Sequence, residues 1–168
     1  MKIKDFFFLT PSATNIKLTG HQFNYIFRTI PNNDQMGISI AHYLAEQGLS
    51  KIALLNSRSP YATELSDVFS SHLMKNKNAS IPFRKSFFEN TVNITSLAID
   101  LKKIAEMDAI FIASTDIFAA KIYQKTRDMG IRLPFVAGDT LNMPPFLNMV
   151  KVWENSDDVK KNHCSIPI

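Results

Sequence analysis

Two short stretches carry most of the chemistry this sequence can offer. In the first, an apolar run, DFFFLT, stops in the loop TPSATN, where Ser12 and Thr14 present small hydroxyls. Hydroxyls both donate and accept, so they can hold a carboxylate or an amine. The second is the set of polar residues that follow the apolar runs further on: Arg58, Ser59 and Tyr61 after KIALLNS, Ser114, Thr115 and Asp116 after DAIFIA, and Asp139 after LPFVAG. With one aromatic and two carboxylates, this rim suits a small polar ligand.

Plainer roles exist for several of these residues. Ser59, which precedes Pro60, and Thr115 are both suited to capping helix N-termini. Asp116 in a first helical turn is favoured by the helix dipole alone. Catalysis finds little support. The sequence has no GxGxxG, no P-loop and no GxSxG elbow. His21, His42, His72 and His163 lack metal-ligand spacing. Asp116 and Asp139 could act as an acid–base pair, but nothing marks a nucleophile or an oxyanion hole. The expectation is a non-enzymatic chain with no metal and no cofactor.

The elements that must position these residues follow from periodicity. KIALLNS, DAIFIAS and LPFVAGD read as strands, the first two as buried runs covered on both faces. ASIPFRKSFF reads as a further strand, with Pro82 arguing for an edge or an irregular start. Between the strands, Ala62, Leu65, Phe69 and Leu73 mark one helical face, as do Ile94, Leu97, Leu101 and Ile104. A third face carries Phe118, Ala119, Ile122 and Met129, with Gly130 as its stop. A helix from about Asp34 to Gln47, ending at Gly48, comes before this series, and FNYIFRT before it reads as one more strand. The alternation predicts an α/β fold: a three-layer αβα, Rossmann-like lobe with a mostly parallel sheet. In such sheets ligands bind beyond the carboxyl ends of the strands, where Tyr61, Thr115 and Asp139 fall.

Composition sets outer bounds. A chain of 168 residues, 45% hydrophobic and 20% charged, suits one domain. The net charge of +4 comes from scattered Lys and Arg, which reads as solvated surface and not as a nucleic-acid interface. One cysteine, Cys164, excludes an internal disulfide. MKIKDFFFLT does not make a signal peptide, because Asp5 precedes too short an apolar run. The tail from Glu154, ENSDDVKKNHCSIPI, is polar and lacks periodicity.

Taken in order, TPSATNIKLT, FRTIPNNDQMGISIAHYLAEQG, KIALLNSRSPYATELSDVF, DAIFIASTDIFAAKIYQKTRDMGI and GDTLNMPPFL resemble the type I periplasmic binding proteins. The likeness is to the leucine/isoleucine/valine-binding branch of ABC-transporter substrate-binding proteins, and mainly to the second lobe. It implies two α/β lobes closing on an amino acid. In this chain, residues 1–20 would be a remnant of the first lobe with its ligand loop, 21–153 the second lobe, and 154–168 a polar tail. It further implies that Ser12 supplies a backbone carbonyl and Thr14 a hydroxyl to the amino-acid head group, that Tyr61 lines the other half of the site, and that Asp139 takes the ammonium. Thr115 stands where the family often has an aromatic, and Ala62 where it has a glycine after the tyrosine. The implied function is solute binding in amino-acid uptake, in the periplasm, with an ABC permease or a missing first lobe as partner. Without an export signal, the chain would be cytoplasmic if complete. The alternatives are a sensing or protein-interaction domain, with an exposed lobe face open to homodimer formation, and a truncated product without activity.

Overall fold

The computed structural model describes residues 7–20 and 25–154. In chain order the elements are strand β1 (Phe8–Thr10), helix α1 (Lys17–Gly20), β2 (Ile26–Arg28), α2 (Asn33–Glu46), β3 (Lys51–Ser57), α3 (Pro60–Leu73), β4 (Ser80–Phe87), α4 (Ile94–Lys102), β5 (Ala109–Ala113), α5 (Asp116–Asp128), β6 (Phe135–Ala137), a 3-10 turn (Asp139–Asn142) and α6 (Pro144–Glu154). β4-β3-β5-β6 form a four-stranded sheet, β1-β2 a separate pair, and every pairing is parallel.

Strand alternation divides the core into two halves. Ile52 and Leu54 of β3, with Ala109, Phe111 and Ala113 of β5, point to the face covered by α2 and α3. Ala53 and Leu55, with Ile110 and Ile112, point to the face covered by α4, α5 and α6. The result is the expected three-layer αβα lobe. Because both faces are covered, β3 and β5 are buried nearly throughout. The chain leaves β3 for β4 on one side and then returns to β5 on the other. The carboxyl ends of β3 and β5 therefore flank the point where the strand order reverses, the usual place for a ligand.

Local chemistry explains most of the boundaries. Asn32 caps α2 in a capping box with Gln35, and Ser59 Oγ caps α3 by accepting from the Ala62 N–H at 3.2 Å. Gly48 and Gly130 end their helices at φ of +72° and +80°. β4 carries Pro82 at the sheet edge, and its register against β3 shifts between Lys51 and Ala53. Gly37 lets α2 and α3 approach closely: a Cβ there would lie 2.9 Å from the Phe69 backbone nitrogen.

Four features differ from the sequence expectation, the first being the single-turn helix α1, which no apolar spacing announces. α4 stops at Lys102, and Ile104 falls in the following turn although it keeps the apolar spacing. Thr115 stands at the N-cap of α5 without a side-chain capping bond, and its hydroxyl donates to Glu89 at 2.9 Å. α6 was not anticipated. Its start, Pro144-Pro145, reads as a breaker, yet proline fits the first turn of a helix. α6 buries Phe146 against Tyr123 and sets the Trp153 indole N–H on Asp128 at 3.1 Å. Apart from Glu154, the polar tail lies outside the described residues, as do His21 and the start of FNYIFRT.

Candidate functional site

Three elements meet beyond the strand ends. Tyr61 is the second residue of α3, so the end of β3 and the Ser59 cap fix its position. Asp139 opens the 3-10 turn directly after β6 and Gly138. The Tyr61 hydroxyl donates to Asp139 Oδ1 at 2.8 Å. Gly138 makes this contact possible, because a Cβ there would lie 2.8 Å from the tyrosine oxygen and 3.1 Å from Leu65 Cδ2. Burial, and after it the Asp139 charge and the hydrogen bond, push the Tyr61 pKa far above its ordinary value of 10.0. The phenol therefore keeps its proton and serves as a donor.

The TPSATN loop forms the opposite wall. The buried Thr10 hydroxyl accepts from the N–H groups of Ala13 (3.0 Å) and Ser12 (3.4 Å), which folds the loop back on β1. Arg28 of β2 donates to the carbonyls of Ala13 (3.2 Å) and Asn15 (2.8 Å). The Asn33 N–H at the start of α2 donates to the Thr14 carbonyl at 3.0 Å. With its backbone tied on three sides, the loop brings Ser12 and Thr14 to a cavity of about 340 Å³ shared with Tyr61 and Asp139. That volume suits a ligand of amino-acid size. Thr14 is largely buried there, at 7% exposure.

Of the residues singled out from sequence, Ser12, Thr14, Tyr61 and Asp139 thus share one cavity, while Arg58, Ser59, Ser114 and Asp116 do not line it. Nor does Thr115: it is exposed at the end of β5 and engages both carboxylate oxygens of Glu89, through its N–H and its hydroxyl, each at 2.9 Å. Two residues of the cavity wall escaped the sequence reading. Glu64 lies three positions after Tyr61 and so shares its helix face, a spacing that could have revealed it. Asn33, 0% exposed, donates through its side-chain amide to Glu64. Its burial comes from the docking of α2 on the loop, which no local pattern signals. Among the described residues there is no cluster of three or more groups able to hold a metal ion, and no helix is long and apolar enough to cross a membrane.

No protein-family model matches the chain. It is 26% identical over 137 residues to the Leu/Ile/Val-binding protein homolog 2 of Brucella abortus, spanning 78% of this chain and 35% of that relative. The structure superposes on the branched-chain amino acid transporter substrate-binding protein LivJ of Streptococcus pneumoniae, solved with isoleucine, with a TM-score of 0.75 and 26% identity. The match covers 84% of this chain and 39% of that one. In both sequence and fold, the chain is similar to leucine/isoleucine/valine-binding proteins. The same fold recurs in the leucine-binding protein LivK of Thermotoga maritima (TM-score 0.70, 20% identity, 84% of this chain and 40% of that one). It recurs again in a substrate-binding protein of Desulfitobacterium hafniense solved with Leu (TM-score 0.67, 23% identity, 90% and 50%). The chain therefore spans about a third of the length of its curated relative and no more than half of these structures.

Proposed function

We propose that this chain is the second lobe, with one ligand loop of the first, of a non-catalytic amino-acid-binding protein serving an ABC-type uptake system. The observation that carries this reading is the convergence of Ser12, Thr14, Tyr61 and Asp139, drawn from three distant parts of the sequence, on one cavity. Asp139 takes the ligand ammonium. The hydroxyls of Thr14 and Ser12, with the Ser12 carbonyl, hold the head group. Tyr61 orients Asp139 and covers the ligand with its ring. A branched-chain or similar amino acid is the ligand class that the family suggests, the permease is the implied partner, and the periplasm is the implied compartment.

Titration of the chain with amino acids, followed by calorimetry or amide NMR shifts, tests this reading. Binding is expected to be weaker than about 1 μM, or about −8 kcal/mol, because closure of two lobes supplies much of the contact in a complete protein. Asp139→Ala removes a charge-assisted hydrogen bond of about 1.5–3 kcal/mol and should weaken binding about 10- to 100-fold. An unchanged affinity in that variant would remove Asp139 from the site.

One further observation favours a second reading, as an interaction domain. Phe7, Phe8, Leu9, Tyr25 and Phe27 expose 43–62% of their surface on the β1–β2 pair. Apolar surface concentrated in this way marks an interface. Its occupant is a first lobe in the uptake reading and a second copy of the chain in the sensing or interaction reading.

A further inference from the structure

The wall that joins Ser12 and Thr14 to Tyr61 and Asp139 also carries Glu64, and the charges do not balance. Glu64 and Asp139 are both carboxylates, and among the described residues that line the cavity there is no Lys or Arg. Arg28, a cation tied to this region, donates through its terminal nitrogens to the carbonyls of Ala13 and Asn15 and to the Thr19 hydroxyl, and it does not line the cavity. Glu64 accepts from the Asn33 amide, a neutral donor that leaves its charge uncompensated. That same bond turns the other end of the Asn33 amide into an acceptor, and Asn33 Oδ1 is buried with no hydrogen-bond partner. The apolar part of the wall comes from Ala13, Pro60 and the Tyr61 ring, with no large aliphatic side chain among the described residues that line it.

A zwitterionic aliphatic amino acid answers this arrangement poorly. Its one ammonium satisfies Asp139, its carboxylate adds a third negative group, and Glu64 is left facing the ligand unpaired. A second ammonium answers it well, because it brings three N–H donors and a positive charge. On the reading of this cavity as the ligand site, we infer that the chain selects a ligand with two ammonium groups, a basic amino acid or a short diamine, and that Glu64 is the specificity-determining residue for the second one. One ammonium pairs with Asp139 beside Tyr61. The other pairs with Glu64, one helical turn along α3.

Parallel titrations with L-lysine, 1,4-diaminobutane and L-leucine, monitored by amide NMR shifts in 12–15 and 59–64, test the assignment. L-lysine or the diamine should bind at least about 10-fold more tightly than L-leucine, as expected for one additional charge-assisted hydrogen bond. Preference for L-lysine indicates that the Ser12–Thr14 wall uses the α-carboxylate, and preference for the diamine that it does not. Glu64→Gln keeps an acceptor for the Asn33 amide, so the fold is retained, and the ratio should drop to within about 2-fold. L-leucine binding as tightly as the dications, or a preference that survives Glu64→Gln, overturns the assignment and leaves the ligand-site reading standing. Shifts caused by none of the three would overturn both.

Discussion

At the scale of single residues, the site depends on what is missing as much as on what is present. Gly138 has a negative φ of −71°, and what it contributes at the site is space. The Tyr61 oxygen occupies the place where a Cβ would project. Gly138→Ala should separate Tyr61 from Asp139 and press on the buried Leu65, at a cost of about 1–3 kcal/mol for overpacking. Chemical denaturation measures that cost, and ligand titration should show a parallel fall in affinity. Wild-type values for both would mean that Tyr61 does not depend on this gap. Tyr61 and Asp139 were legible as candidates because each follows an apolar strand. Their hydrogen bond was not, because 78 residues separate them.

At the scale of elements, one carboxylate links the amino ends of two central strands. Asp108, just before β5, accepts from the N–H groups of Ser50 (2.7 Å) and Lys51 (2.8 Å) at the start of β3. The backbone bonds from Lys51 and Ser50 are the main reason its pKa is held below the ordinary 3.8. A depressed folded-state pKa gives stability that is fully present above the unfolded value. That stability is lost as pH falls from about 3.8 through the folded pKa. Asp108→Asn should therefore lower stability near neutrality by about 1 kcal/mol or somewhat more, and the gap to wild type should close below that window. Urea melts at pH 7 and pH 3 measure both values, and a gap independent of pH would exclude the carboxylate charge as its source. Sequence periodicity found β3, β4, β5, β6 and helices α2 to α5, where apolar spacing is regular. It missed α1, a single turn too short to show a period, and α6, because a double proline hides a helix start, and it extended α4 to Ile104, because apolar spacing persists after the backbone has turned.

At the scale of the whole molecule, the β1–β2 pair and the four-stranded sheet have different surroundings. The large sheet is covered on both faces, while the small pair leaves five large apolar side chains exposed, with Phe7 stacked on Phe27 at 5.4 Å. If that surface meets a second copy, sedimentation should show association that grows with concentration and is abolished by replacing Phe7 and Leu9 with serine. A monomer at every concentration would leave the first lobe as the occupant.

The sequence by itself determined the layered α/β class, the approximate place of the strands and four of the helices, and the resemblance to leucine/isoleucine/valine-binding proteins. Each rests on local spacing of apolar residues or on ordered segments, and both are written along one dimension. Only the tertiary structure decided which polar residues share a cavity. It joined Ser12 and Thr14 to Tyr61 and Asp139, turned Thr115 toward Glu89, and added Glu64 and Asn33 to the wall. Those outcomes depend on how α2 docks against the TPSATN loop and how β6 delivers Asp139 beside α3. Contacts between segments so far apart in the chain leave no period in the sequence to read.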